Sequence, residues 1–263
     1  MIPQSMRNLF TPAGEADLAA TVARRPLLAF DFDGTLSPIV SRPIDARVPI
    51  GTLRRLKRLA HRLPLAVISG RAIEDLRHRL GFEPTFIVGN HGAEDPTLTH
   101  RPELSAALDS LRTRVLEMAD ELRHAGVQAE DKGPSMALHY RLATDRAVAM
   151  DAIGRALDGC EPGLHVFGGK MVINVVSSKA DDKAAALHRI ARYAGVHAVV
   201  YFGDDVNDET VFAAREPHWL TIRVGADAPE SAARYFISGT REMPRLLDRI
   251  ILLTGGDTQP GRL

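Results

Sequence analysis

The chain has 263 residues, enough to bury a large core as one big domain or two modest ones. Its 33 Lys and Arg cancel its 33 Asp and Glu, so no net field draws nucleic acid or an anionic membrane surface, and neither partner is expected. Cys160 is the single cysteine, which excludes an intramolecular disulfide and a cysteine-built metal site. The N-terminal stretch lacks a basic segment followed by an apolar run, and no window approaches the roughly 20 apolar residues of a membrane helix. The expectation is a soluble, cytoplasmic protein acting as a monomer.

Residues 1–25 read as a short, partly helical lead-in that ends at Pro26. Leu27-Leu28-Ala29-Phe30 follows, and its continuous apolarity marks a strand covered on both faces. It ends in Asp31-Phe32-Asp33-Gly34. Thr52 to Arg62 sets Leu53, Leu56, Leu59 and Ala60 on one side of a helix. A second strand, Leu65 to Ile68, ends in Ser69-Gly70-Arg71. A helix from Ala72 to Leu80, stopped by Gly81, leads to a third strand, Phe86-Ile87-Val88, and then to Gly89-Asn90-His91-Gly92-Ala93-Glu94. This alternation predicts an α/β core with a doubly wound, mostly parallel, Rossmann-like sheet, its first part over 26–95.

From about Pro96 the rhythm changes. Leu104, Leu108, Leu111, Val115, Met118 and Leu122 recur at steps of four and three, which predicts one long helix from Glu103 to Ala125 closed by Gly126. Strands Val127 to Lys132 and Ser135 to Leu142 flank a Gly133-Pro134 turn. A helix from Asp145 to Leu157 precedes strands Leu164 to Phe167 and Met171 to Val176. Residues 96–177 therefore read as a smaller α+β cap domain inserted in the core. The core resumes over 178–253 with a helix from Lys183 to Ala194 and a strand from Ala198 to Phe202. That strand ends in Gly203-Asp204-Asp205-Val206-Asn207-Asp208-Glu209. A short helix (Thr210 to Ala214), a strand (Leu220 to Val224) and a helix near Pro244 to Leu253 follow, and 254–263 read as a flexible tail.

Polar clusters thus sit directly after four strands, and in open α/β sheets ligands bind outside the carboxyl ends of the strands. Residues at i and i+2 of an extended chain share a side, so Asp31 and Asp33 should meet in one small volume. Asp31, Asp33, Asp204, Asp205 and Asp208 cannot all stay ionised when crowded. A hard divalent cation resolves this, and Mg2+ is commonly held by carboxylates, water and a substrate phosphate. Asp31 is then placed to attack phosphorus, and Asp33 to protonate the leaving oxygen and take a proton from water. Ser69 and Lys183 could hold phosphoryl oxygens. Four of the five lysines fall between 132 and 183, where a compact point charge would be useful. Taken singly, each motif has a plainer reading: Asp-x-Asp as a turn or cap, Asn-His-Gly as a turn, His139 as a strand histidine, Lys132 as a solvated charge. Their order after consecutive strands carries the catalytic reading.

Asp-Phe-Asp-Gly-Thr-Leu, Ser-Gly-Arg, a downstream Lys and Gly-Asp-Asp-x-Asn-Asp-Glu resemble the four motifs of the haloacid dehalogenase-like phosphatases. More narrowly, Gly89 to Glu94, Glu130-Asp131-Lys132, Leu138-His139-Tyr140-Arg141, Gly169-Lys170-Met171-Val172 and Gly203 to Glu209 resemble trehalose-6-phosphate phosphatases. The match runs from about residue 26 to 250. The resemblance implies a cap between the second and third motifs, Mg2+ dependence, and release of phosphate from trehalose 6-phosphate, a small-molecule sugar phosphate. It implies Asp31 as nucleophile, Asp33 as acid/base, and Ser69 and Lys183 on the phosphoryl group, with Lys179 the competitor for the lysine role. The metal ligands would be Asp31, Asp33 through its carbonyl, and Asp204, with Asp205 beside them and Asp208 in support. Thr35, Gly70, Arg71, Asn90 and His91 from the core, and Glu130, Lys132, His139, Arg141, Lys170 and Asn174 from the cap, are the expected substrate contacts.

Three positions depart from the family pattern: Asn174 stands where glutamate is usual, Val176-Ser177 replaces Arg-Pro, and Ala184 replaces the glycine after the lysine. These touch the sugar more than the phosphoryl group, so a sucrose, mannosylglycerate or glucosylglycerate phosphate stays open as substrate. A signalling receiver domain would lack the cap and be about half as long. A non-catalytic sugar-phosphate binder would not need intact Asp31, Asp33, Lys183 and Asp204.

Overall fold

An apolar run with no polar side chain is stable as a strand only when both faces are covered. In the computed structural model, which describes residues 6–95, 102–159, 163–169 and 171–255, Leu27 to Phe30 and Leu65 to Ile68 are buried at every position. The strands in chain order are β1 (Arg7–Asn8), β2 (Leu27–Phe30), β3 (Leu65–Ile68), β4 (Phe86–Val88), β5 (Gln128–Asp131), β6 (Ser135–His139), β7 (Leu164–Gly169), β8 (Val172–Ser177), β9 (Val199–Gly203), β10 (Trp219–Val224) and β11 (Tyr235–Ile237). The helices are α1 (Pro12–Val22), α2 (Ile50–Ala60), α3 (Ile73–Leu80), α4 (Pro102–Ala106), α5 (Asp109–Glu117), α6 (Ala119–His124), α7 (Arg146–Leu157), α8 (Lys183–Tyr193), α9 (Glu209–Ala213) and α10 (Met243–Leu253).

Seven strands form a parallel sheet in the order β1-β11-β10-β9-β2-β3-β4. Alternation along β2 sends Leu28 and Phe30 to one face, with Leu56, Leu76, Leu246 and Ile250 of α2, α3 and α10. Leu27 and Ala29 point to the other, with Leu187, Ile190 and Phe212 of α8 and α9. Phe30 stacks on Phe202 with ring centroids 4.6 Å apart, which fixes the register of the two central strands. The strand order reverses between β2 and β9, so the loops after β9, β2, β3 and β4 open at neighbouring points of one edge.

The second sheet is antiparallel, β5-β6-β8-β7. Met136, Leu138 and Val175 on one face pack against Leu108, Leu111, Leu122, Ala149 and Ile153 of the surrounding helical segments. The opposite face carries Glu130, Ala137, Asn174 and Phe167 in one cross-strand row. The fold is therefore the expected doubly wound core with an inserted α+β cap. The chain leaves the core near Asp95 and returns near Asp181, and Arg189 of α8 pairs with both carboxylates, 2.6 Å from Asp95. No helix among the described residues is long and apolar enough to cross a membrane.

Two expectations need correction. The predicted helix from Glu103 to Ala125 is three shorter ones, α4, α5 and α6. Ala107 and Leu108 form a turn between α4 and α5, and Met118 (φ −94°, ψ 10°) leaves helical geometry between α5 and α6. A strict seven-residue apolar repeat drifts by about 20° per heptad around a straight helix, and the breaks keep Leu108, Leu111 and Leu122 on the cap sheet. The lead-in is also more than a preface: β1 pairs with β11, and Leu9, Leu18 and Val22 are core residues. A two-residue strand has no periodicity to read, and its partner, Tyr235–Ile237, is scarcely longer. The tail from 256 onward, Cys160 and Lys170 lie outside the described residues.

Candidate active site

β2 ends at Phe30, and the Asp31 amide still bonds the Phe202 carbonyl of β9 at 2.8 Å, so Asp31 stands where the two central strands part. α8 starts at Lys183, positioned by its N-cap residue Asp182, which accepts from the Ala185 amide. The Lys183 ammonium donates to Asp31 Oδ1 at 2.8 Å and to Asp208 Oδ1 at 2.7 Å. These three side chains are 3, 7 and 0% exposed. The lysine brought to Asp31 is Lys183 rather than Lys179.

Asp208 is saturated. Its Oδ1 also accepts from the Tyr201 hydroxyl at 2.7 Å, and its Oδ2 from the amides of Asp204 and Asp205 at 2.8 and 2.9 Å. Gly203 makes this possible, because a Cβ there would stand 2.3 Å from the Asp208 carboxyl carbon. Burial pushes the Asp31 carboxyl well above the usual range; the Lys183 charge opposes this, and the charges of Asp208 and Asp204 add to it. Burial also works against the Lys183 charge, but Asp208 and Asp31 outweigh it and hold the ammonium well above its ordinary value.

Asp31, Asp204 and Asp208 present carboxylate oxygens within 4.8 Å of one another. Gly34, at φ +85°, admits Asp204, since a Cβ at this position would lie 2.0 Å from Asp204 Oδ2. Thr35 donates to the other oxygen at 3.2 Å. Three buried carboxylates facing one ammonium leave an excess of negative charge with all-oxygen donors, which fits a hard divalent cation. With Asp208 already accepting four hydrogen bonds, Asp31 and Asp204 are the better-placed ligands of the three.

Asp33 shares the cleft with Asp31 but has a different partner. Arg71 grips its carboxylate in bidentate fashion, Nε to Oδ2 at 2.6 Å and Nη2 to Oδ1 at 2.8 Å. Arg71 Nη1 reaches Asp75 at 2.6 Å, and the guanidinium lies over the Phe32 ring at 5.4 Å. Ser69 is buried; its hydroxyl accepts from the Arg71 amide at 3.3 Å, and its carbonyl from the His91 amide at 2.9 Å. Asn90 and His91 both take left-handed backbone (φ 49° and 59°), which packs the His91 ring over Gly70; a Cβ on Gly70 would lie 2.3 Å from His91 Cε1. Burial, then the charges of Lys183 and Lys132, push the His91 imidazole well below its ordinary value, and its ring meets Phe167 of the cap edge-on at 5.0 Å.

The cap roofs this floor. His139 Nε2 lies 2.9 Å from Glu130 Oε2, Lys132 donates to the Gly70 carbonyl at 3.1 Å, and Arg141 donates to the Val40 carbonyl at 3.1 Å. The hydrogen bond to His139, with the nearby Lys132 charge, lowers the Glu130 carboxyl against its partial burial. Between floor and roof is a cleft of about 690 Å³. Asp31, Asp33, Ser69, Gly70, Arg71, His91, Glu130, Lys132, His139, Arg141, Asn174, Lys183 and Asp205 all line it.

Of the predicted residues that are described, four do not line that cleft. Thr35 is buried behind Asp204, and Asp208 is buried behind Lys183. Asp204 opens with Gly34 onto an adjoining recess. Asn90 is buried, tying Glu94 to Ser135 of the cap at 2.9 Å each. Residues missed by the sequence reading are Tyr201, hidden in an apolar run; the loop from Ile39 to Ile44, which follows no strand; and Asp75 and Arg79. The last two are spaced like an ordinary helix-surface ion pair, and only the burial of Arg79 marks them.

A family model described as trehalose-phosphatase matches residues 29–239. A trehalose-phosphate phosphatase of Mycobacterium marinum is 33% identical over 234 residues, 85% of this chain and 58% of that protein. A Mycobacterium tuberculosis protein described as an uncharacterized glycosyl hydrolase is 38% identical over 204 residues, 73% of this chain and 15% of its own length. The chain thus spans only part of these relatives. Among solved structures, the C-terminal domain of a C. albicans trehalose-6-phosphate phosphatase aligns with a TM-score of 0.74 and 20% identity, covering 97% of this chain and all of that one. A trehalose-6-phosphate phosphatase related protein aligns with a TM-score of 0.71 and 22% identity, covering 86% and 97%. At these identities the structural likeness speaks for the fold alone.

Proposed function

The chain belongs to the trehalose-phosphatase family, and on that premise we propose that it is a Mg2+-dependent phosphatase that hydrolyses trehalose 6-phosphate to trehalose and phosphate. It would act as a cytoplasmic monomer, with 26–95 and 178–253, together with β1 and α1 of the lead-in, forming the catalytic core and 96–177 the cap. The observation that carries the reading is the buried Lys183 bridge between Asp31 and Asp208 at the floor of a cleft whose roof is polar.

In the first step the Asp31 carboxylate attacks phosphorus, the bond to the sugar oxygen breaks, and Asp33 gives that oxygen its proton. An aspartyl-phosphate is left on Asp31. In the second step water attacks phosphorus, Asp33 takes the water's proton, and the acyl-phosphate bond breaks to restore Asp31. Lys183 and Ser69 stabilise charge on the phosphoryl oxygens. Mg2+, held by Asp31, Asp204 and the Asp33 carbonyl, would neutralise further charge there. Asp208 fixes Lys183 and the Asp204-Asp205 turn. Glu130, Lys132, His139 and Asn174 read the sugar hydroxyls, with Arg141 at the rim and Asp205 beneath.

The test is phosphate release from trehalose 6-phosphate and from sucrose, glucose, mannosylglycerate and glucosylglycerate phosphates, with Mg2+ and after chelation. Trehalose 6-phosphate should show the highest kcat/KM, with activity lost on chelation and restored by Mg2+. A different preferred sugar would reassign the substrate and point to Asn174; no turnover of any ester would leave a binding protein.

A further inference from the structure

We propose that Asp75 and Arg79 of α3 are positioning residues for Asp33, acting through Arg71. This rests on the acid/base role given to Asp33 above. The residues form one alternating chain of charge. Arg71 spends Nε and Nη2 on Asp33 and Nη1 on Asp75. Asp75 Oδ2 also accepts from Arg79 Nε at 2.8 Å, and its Oδ1 accepts from Arg79 Nη2. Arg79 Nη1 then donates to the Ile44 carbonyl at 2.6 Å, while Arg71 Nη2 donates to the Pro43 carbonyl next to it at 3.0 Å. Both arginines of the chain therefore grip the same loop at the cleft wall.

An isolated i,i+4 pair on a helix contributes only about 0.2–0.5 kcal/mol, and burying an arginine for that alone would cost more than it returns. Arg79 is nonetheless 8% exposed. The planar guanidinium fork explains the arrangement: it holds its partner at a fixed angle as well as a fixed distance. Arg79 orients Asp75, Asp75 orients Arg71, and Arg71 orients Asp33. With four of its five N–H donors committed in this way, Arg71 serves Asp33 rather than the substrate, which revises its expected role as a substrate contact.

A misplaced general acid matters most when the leaving group is poor. A sugar alkoxide needs the proton, whereas p-nitrophenolate leaves without it. The experiment compares Asp75→Asn, Asp75→Glu and Arg79→Gln with the unaltered protein in single-turnover trehalose release and in the nitrophenol burst from p-nitrophenyl phosphate. Asp75→Asn and Arg79→Gln should slow trehalose release about 10- to 100-fold, a fraction of the usual general-acid contribution, while the burst rate stays within about twofold. Asp75→Glu, which keeps the charge, should recover most of the loss. The double variant should lose no more than the larger single loss, because the residues act in series. An equal loss with both esters, or no loss with either, would overturn the proposal, and melting temperatures identify a variant that has merely unfolded. If the unaltered protein hydrolyses another sugar phosphate, that ester replaces trehalose 6-phosphate in the comparison. If it hydrolyses none, the functional reading fails first and this proposal falls with it, an outcome distinct from failure of the variants.

Discussion

At the ends of β2 and β9 Asp31, Asp204 and Asp208 are buried, and Asp208 alone accepts four hydrogen bonds. On the cap sheet, Glu130 and His139 are 53 and 33% exposed and meet through one hydrogen bond of 2.9 Å. The floor thus has one low-energy arrangement, whereas the roof can exchange its partners for the hydroxyls of the proposed sugar substrate at little cost, since water already competes for them. Preorganised charge belongs where bonds break, and adaptable polar groups belong where a substrate must be admitted and released.

Four substitutions would break or sharpen this contrast. Asp31→Asn should abolish phosphate release while the melting temperature stays level or rises, because a buried carboxylate has been made neutral; appreciable residual turnover would remove Asp31 from the nucleophile role. Lys183→Met should abolish activity as well, and also destabilise the protein by about 3–5 kcal/mol in urea titration, the usual cost of stranding buried partners of a removed charge. A variant as stable as the unaltered protein would show that the floor is less dry than described. On the roof, Glu130→Ala should raise KM for the sugar phosphate about 10- to 100-fold, equivalent to roughly 1.4–2.7 kcal/mol of binding. It should leave p-nitrophenyl phosphate hydrolysis unchanged, and equal effects on both esters would refute a sugar-reading role. Asp145→Ala, which removes the acceptor for the Ala147 and Val148 amides at the start of α7, should cost about 1 kcal/mol of cap stability. Because α7 lies on the apolar side of the cap sheet, kinetic constants should not move; a changed KM would mean that the two sides of that sheet are coupled.

The floor was largely legible in the sequence because its residues follow apolar strands, and strand ends in a doubly wound sheet have one place to point. Asp31, Ser69 and Asp204 were singled out in that way, and Lys183 from its place at the start of a helix. Tyr201 was not, since a hydroxyl at the end of an apolar run looks like core until its partner, Asp208, is placed opposite. Asp75 and Arg79 were missed for the converse reason: their spacing has a sufficient local explanation, and the partly buried partner Arg71 that changes their meaning comes from the preceding loop. Alternation within each cap strand put Glu130 on one face with Lys132 and His139 on one face with Arg141, but the breaks at Leu108 and Met118 carry no glycine or proline. They are imposed by packing against the sheet, which no local pattern records.

Arg189, which holds Asp95 and Asp181 together, has a consequence in polymer terms. A segment whose two ends are pinned to one guanidinium closes the same gap in the core whatever its own length. The entropy of closing such a loop grows only logarithmically, about 0.6 kcal/mol for each doubling. The parallel sheet is thereby insulated from the size of what it carries, so the roof could be lengthened, shortened or exchanged over evolutionary time while the floor kept its chemistry.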